Sequence, residues 1–293
     1  MAKIDEIAPD LYRVSIYVPQ IDLQFNHFVI KDDEPLLFHT GMRRMFPEVR
    51  EAVAKLIDLA DLRWISWSHF EVDECGVLNE WLAATPKAQP ICSQVDALVN
   101  IGDFSDRPPR CLTRDDVVAT GRHRYRFVPT PHLPHGWDAG VLFEEDAGVL
   151  LCSDLFHQLG DVEPVTSTEI LGRWDAAVAA YQAHPVLMDY VPLTPATERR
   201  LNELADLHPR VLAAMHGSTF IGDGGAALRA AAGVLRHRLG AGPVDAAQAV
   251  WVRTDPSAMT MSPSEMTRVT VMCGVPVNAG FAISRSNASL PDS

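Results

Sequence analysis

The stretch Arg63-Trp-Ile-Ser-Trp-Ser-His69-Phe-Glu71-Val-Asp73-Glu74-Cys-Gly76 constrains the chain more than any other. Arg63 to Ser68 is aromatic and Ile-containing and reads as a buried strand. After Glu74, the residues Val77, Leu78, Trp81 and Leu82 fall at the i, i+1, i+4, i+5 spacing of an amphipathic helix. One imidazole and three carboxylates therefore occupy the six residues of a strand-to-helix turn. Layered α/β proteins commonly place their chemistry at such handovers. Helix capping and the helix dipole account for an acid at Asp73 or Glu74 taken singly. They do not account for Glu71, nor for three acids on a turn that has no Lys or Arg among them. Negative charge concentrated in this way calls for a cation, and a metal ion is the usual one.

Around this turn the chain alternates between strand and helix signals. Leu11–Val18, Phe25–Ile30 and Pro35–His39 are short and β-rich and are expected as strands, followed by a helix over Pro47–Leu59. The segment after the acidic turn is expected to be helical from Glu74 to Ala84. Pro90–Cys92 is expected as a strand, Gln94–Asn100 as a helix and Asp106–Arg110 as a loop. Val117–Ala119 and Tyr125–Val128 read as strands, and Gly140–Phe143 and Gly148–Cys152 as a hairpin. Helices are expected over Arg173–Met188, Ala196–Leu207 and Gly224–Leu239, with a last core strand at Val211–Met215. Strands followed by helices, twice over, point to two packed β-sheets with helices outside them.

Composition narrows the function classes. The 293 residues suffice for one large domain and a short extension, and with 47% apolar residues they can bury a substantial core. A formal charge of −13 without a basic run argues against nucleic acid and anionic membrane as partners. The five cysteines are widely spaced with no C-x-x-C, which argues against a disulfide framework, a rubredoxin-type iron site or an iron–sulfur cluster. Met1-Ala-Lys-Ile-Asp-Glu6 resembles neither a signal nor a transit peptide, and no run of about 18 apolar residues exists; a cytoplasmic protein is expected. At Gly240-Ala-Gly-Pro243 the composition shifts to a linker. The expected division is thus a domain over 1–240 and a partly ordered extension over 241–293, with one strand-like run at Arg268–Met272.

Four motifs carry a family resemblance. His69-x-Glu71-x-Asp73 resembles the first metal-binding motif of the di-iron branch of the metallo-β-lactamase superfamily, the flavodiiron and oxygen-binding di-iron proteins. Pro131-His-Leu-Pro-His135-Gly-Trp-Asp138 resembles its second ligand loop, Leu150-Leu-Cys-Ser-Asp154 the strand end with a bridging aspartate, and Ala214-Met-His216-Gly-Ser218 its last ligand loop. The similarity runs from about residue 10 to about 240. It implies an αββα sandwich, an α/β fold of four layers. It also implies two iron ions, one taking His69, Glu71 and His135, the other Asp73 and His216, with Asp154 bridging. Zinc or manganese are the alternatives. The family closes its first motif with histidine where this chain has Glu74, which either ligates the second metal or leaves that position to water. His39, His132 and His157 are candidates for orienting the ligands.

By resemblance the function is to bind, and with a donor to reduce, O2 or NO. Full flavodiiron enzymes carry a flavodoxin domain, for which the residues after Gly240 are too few. No FMN is therefore expected, and electrons would come from a separate flavoprotein or rubredoxin-like protein, or the chain would act as an oxygen carrier or sensor. A homodimer is the implied assembly. Two other readings stay open: a dinuclear metallohydrolase, which a histidine in place of Glu71 would favour, and a superfamily scaffold whose site is empty.

Overall fold

Strand β3 (Leu23–Ile30) shows how the layers arise, because all eight of its residues are buried. Side chains alternate across a strand, so a strand buried along its whole length needs a layer on each face. Phe28 and Ile30 enter a cluster with Phe38, Leu142, Leu151 and Ala213, which is the filling between two sheets. Phe25 and Val29 point the other way and pack with Val49, Val53, Trp81 and Leu82 of the outer helices.

The computed structural model describes residues 1–240. Its first sheet runs in chain order: β1 (Lys3–Ala8), β2 (Leu11–Val18), β3, β4 (Leu36–Phe38), β5 (Trp64–Ser66), β6 (Gln89–Ser93) and β7 (Arg110–Leu112). The pairings through β4 are antiparallel and those from β4 to β7 are parallel. The second sheet comprises β8 (Val117–Ala119), β9 (Arg124–Pro129), β10 (Gly140–Glu144), β11 (Val149–Ser153), β12 (Val165–Thr166), β13 (Val211–Ala214) and β14 (Thr219–Ile221). Its order is β12-β14-β13-β11-β10-β9-β8, and β11 and β13 run parallel. A third cluster covers its outer face, where Val141, Phe143, Leu150 and Leu212 meet Trp174, Leu201, Leu204 and Leu228 of the helices. The αββα arrangement expected from the sequence is the one observed.

Several elements differ from expectation. The helix expected over Glu74–Ala84 is two pieces, Val72–Cys75 and Leu78–Ala84. Val77 leaves helical geometry (φ −117, ψ 31), and its N–H points to Thr40 Oγ1 at 3.4 Å. The helix expected to reach Leu59 spans Phe46–Ala54, and Asp58 caps a separate short turn by accepting from Ala60 N. The helix expected to reach Met188 spans Ile170–Gln182; Pro185 forbids its continuation, since a proline disfavours helical backbone in the residue before it. Gln94–Asn100 starts as a short helical turn and widens into a π-turn over Ala97–Ile101. β1, β12 and β14 carried no sequence expectation, and β7 lies at the end of a stretch expected as loop. The expectations for 241–293, including the strand-like run at Arg268–Met272, lie outside the described residues.

Candidate metal centre

The parallel strands bring their C-terminal ends to one edge of the sandwich, and the candidate ligands follow those ends. His69 comes after β5, His135 in the loop after β9, Asp154 directly after β11 and His216 after β13. Glu71 and Asp73 flank the start of the helix Val72–Cys75, with Glu71 still in extended backbone (φ −145, ψ 157). Two glycines let these loops close. Gly217 has φ +106, and a Cβ there would lie 2.7 Å from Gln158 Cβ; Gly136 has φ +74, and a Cβ there would lie 3.1 Å from His69 Cβ.

The sequence-predicted residues converge in two halves. In the first, ligand-capable atoms of His69, Glu71, His135 and Asp154 all lie within 4.8 Å of one another. Glu71 Oε2 is 3.0 Å from His69 Nε2 and 2.9 Å from His135 Nε2. Asp154 Oδ2 is 3.1 Å from His135 Nε2 and 3.5 Å from His69 Nε2. In the second half, His216 Nε2 is 3.2 Å from Asp154 Oδ1 and 3.5 Å from Asp73 Oδ2. Asp154 thus turns one oxygen to each half.

The far nitrogens of the imidazoles explain why the near ones point inward. His135 Nδ1 donates to the Tyr190 carbonyl at 3.1 Å, and His216 Nδ1 to the Gln24 carbonyl at 2.7 Å. His69 Nδ1 faces Glu74 Oε1 at 3.8 Å. That approach is too long for a hydrogen bond, but for His135 and His216 a proton fixed on Nδ1 leaves the lone pair on Nε2, which is the arrangement of a metal-ligating histidine.

The charges match this orientation. Hydrogen bonds from His135 and His69 hold the Glu71 carboxyl down at about 2. Burial works against ionising Asp154, but His135 and His216 hold it well below the usual carboxylate range. Burial likewise disfavours charged His135 and His216, yet Asp154, with Glu71 or Asp73, lifts them to about 11 and about 10. For His69 burial is again the largest single influence and lowers it, but Glu74, Glu71 and Asp154 together lift it to about 9. Two charged rings cannot be the settled state of the first half, however. The Nε2 atoms of His69 and His135 are only 2.7 Å apart, too close for two facing N–H groups. One cation receiving both lone pairs resolves the conflict. Asp154 Oδ1 also makes no hydrogen bond despite its burial, which a cation would satisfy. The donor set therefore fits metal ions.

Glu74 stands apart. It is fully buried, accepts from Ser68 N at 2.8 Å and from Ser153 Oγ, and burial raises its pKa to about 8. His39 Nε2 faces it at 3.4 Å, so the carboxylate that His39 meets is Glu74. His132 is exposed and is not gathered into the centre. His157 is buried beside it, with Nδ1 2.5 Å from Tyr190 Oη. Above the centre lies a cavity of about 340 Å³, lined by Ile21, Leu23, Phe25, Met42, Tyr181 and Tyr190. The carbonyls of Gln24 and Tyr190 had no sequence signal, because every residue has a carbonyl and only the fold selects one. Tyr181 and Tyr190 lie in or after a helix whose end the sequence misplaced.

The family profile described as ODP family beta lactamase matches residues 23–217. An anaerobic nitric oxide reductase flavorubredoxin of Salmonella arizonae is 28% identical over 138 residues, which is 46% of this chain and 28% of that protein. A rubredoxin-oxygen oxidoreductase of Megalodesulfovibrio gigas is 24% identical over 203 residues, 68% of this chain and 49% of that one. The chain thus spans between 28% and 49% of the length of these two relatives. Among solved structures, the rubredoxin oxygen:oxidoreductase from Desulfovibrio gigas superposes with a TM-score of 0.66 at 18% identity, covering 79% of this chain and 61% of that one. A fragment of a diflavin flavoprotein from Nostoc gives 0.67 at 17% identity, covering 81% and 96%. Likeness at such identities concerns the fold, whereas the profile covers most of the chain and all of the converging residues. The chain belongs to the ODP beta-lactamase family, and its two-sheet sandwich is the metallo-β-lactamase fold.

Proposed function

We propose that this chain holds two iron ions at the centre and uses them to bind O2 or NO, reducing it when a separate protein supplies electrons. The observation that carries the reading is Asp154, a buried carboxylate with one oxygen turned to each of two groups of inward-facing donors. His69, Glu71 and His135 would hold one ion, Asp73 and His216 the other, with Asp154 between them. Two ions held by one shared carboxylate would lie close enough for one small molecule to touch both. Bound iron would supply the electrons that a diatomic ligand accepts.

The chain's own residues suit that chemistry. Imidazole and carboxylate without thiolate is a donor set that iron and manganese accept well. The three carboxylates offset the charge of an oxidised ion. The Gln24 and Tyr190 carbonyls keep Nε2 of His216 and His135 on the metal side. The mostly apolar wall of the cavity suits a small, weakly polar ligand better than a charged one. Two relatives whose names specify nitric oxide reductase and rubredoxin-oxygen oxidoreductase support the same reading. A flavoprotein or rubredoxin-like protein is the donor class that fits, and without one the chain would carry or sense the gas.

Metal content tests this first, in protein purified without added metal and without a His tag. About two irons per chain is the expected result. Two zincs, persisting after growth in iron-rich medium, would overturn it in favour of a dinuclear hydrolase, whose metal-bound water attacks an ester or phosphodiester. The same sample is expected to show no flavin absorption; stoichiometric FMN would put the electron donor on this chain.

A further inference from the structure

We propose that Glu74 is a positioning residue and not a metal ligand, so that the two metal positions are unequal: four protein donors at the first and three at the second. The inference rests on the metal-centre reading above, though not on which gas binds there. Its starting point is where the two oxygens of Glu74 go. Oε2 accepts the backbone N–H of Ser68 at 2.8 Å, and Oε1 accepts the hydroxyl of Ser153. The side chain has no exposed surface and is faced by two imidazoles, His39 Nε2 at 3.4 Å and His69 Nδ1 at 3.8 Å.

The first position excludes Glu74 by the geometry of an imidazole ring. Nδ1 and Nε2 point in divergent directions, and Nε2 of His69 is the atom that meets Glu71, His135 and Asp154. A carboxylate at Nδ1 stands behind the ring and cannot share the ion in front of it. At the second position, the carboxylates within 4.0 Å of His216 Nε2 among the described residues are those of Asp73 and Asp154. Glu74 is not one of them, and its oxygens already have donors.

What Glu74 does instead follows from its partners. Ser68 and His69 follow β5, Ser153 immediately precedes Asp154 at the end of β11, and His39 follows β4. One buried carboxylate therefore ties three strand ends, two of which deliver donors of the first position. It acts on His69 through the neighbouring Ser68 N–H, with its charge 3.8 Å from Nδ1, and on Asp154 through the Ser153 hydroxyl. Groups that orient a ligand in this way commonly govern metal affinity by about 10–100-fold. The second position, with Asp73, His216 and the shared Asp154, retains coordination sites for solvent or an incoming small ligand.

The test is a titration of metal-free protein with Mn2+ alone, reading free Mn2+ by its EPR signal. Wild-type protein should take up one equivalent tightly and a second at least about tenfold more weakly, the lower end of that range. Glu74→Gln keeps an oxygen for Ser68 N and a polar partner for Ser153, and should leave both steps nearly unchanged. Glu74→Ala should weaken the tight step by about 10–100-fold. Two equivalent tight sites in the wild type would overturn the inference while leaving the metal centre intact. So would loss of the weaker step alone in Glu74→Gln, the mark of a ligand. No Mn2+ uptake at all would overturn the metal-centre reading and this inference with it. Circular dichroism of Glu74→Ala separates a folding defect from an affinity defect, and Glu74→Gln decides the matter if the alanine variant does not fold.

Discussion

His216 gathers in one ring what single residues do at this centre. Burial alone would depress its pKa, but Asp154 and then Asp73 lift it to about 10. A group whose pKa is higher folded than unfolded stabilises the fold fully below its unfolded value, near 6.5 for histidine, and loses that contribution as pH rises through the folded value. Metal-free protein is therefore expected to melt at progressively lower temperature as pH climbs from about 6.5 to about 10. His135, raised to about 11, shifts in the same direction, and only one ring of the His69–His135 pair can carry the charge because their Nε2 atoms are 2.7 Å apart. Metal affinity should rise over the same window, because the ion competes with the proton for Nε2. Thermal scans of chelator-treated protein at several pH values check this, and His216→Gln should flatten the slope. A metal-free melting temperature that rises across the window would show that the imidazoles are not proton-bound.

Among the elements, the turn that follows β13 is the most exacting. Gly217 adopts φ +106 directly after His216, and a methyl group there would lie 2.7 Å from the Gln158 Cβ. The turn is held on both sides: Gln158 N donates to His216 O at 2.9 Å, and Asn26 Nδ2 donates to Ala214 O and Gly217 O. Gly217→Ala must adopt left-handed backbone or move Gln158. The expected cost is about 1–3 kcal/mol, read by urea denaturation. Because His216 would move with the turn, the second metal should be lost before the first. An alanine variant with wild-type stability and metal content would mean that the turn tolerates a different backbone. Elsewhere the elements followed their sequence signals where the apolar pattern was strong. β2, β3, β10 and β11, each of five to eight residues, lie where expected. The failures cluster where tertiary partners decide: at Val77, whose N–H turns to Thr40, and in two- or three-residue strands such as β12 and β14, too short to show a period.

At the scale of the molecule, the centre exists because two sheets meet along one edge, and a buried polar network links them there. Arg13 of β2 donates through Nη2 to Gln24 Oε1 at 3.1 Å and to Gly217 O at 3.2 Å, and through Nη1 to Asp5 Oδ2 at 3.3 Å. One guanidinium from the first sheet thus grips the loop of the second sheet that presents His216, and Gln24 itself accepts from the His216 ring. Removing the guanidinium leaves the buried Gly217 carbonyl and Gln24 Oε1 each one donor short. Arg13→Leu is expected to cost about 1–3 kcal/mol and to lower occupancy of the second metal position more than the first, measured by metal analysis after dialysis. Equal loss at both positions would mean that the arginine serves general stability alone.

The sequence by itself determined the layer pattern, because that depends on local periodicity. His69, Glu71, Asp73, His135, Asp154 and His216 were legible as candidates through four short motifs that resemble a family's ligand loops, and the structure brings all six to one edge. What the sequence left open depends on partners distant in the chain. His69 meets His135 across 66 residues and His216 takes its carbonyl from Gln24 across 192, and no local pattern encodes either pairing. Glu74 is the clearest instance. From the sequence it was one more acid on a crowded turn, open as a ligand or not. Only the tertiary structure turned it inward, because Ser68, Ser153 and His39 come from three different strand ends and their donors exist as a set only after the sheets have packed.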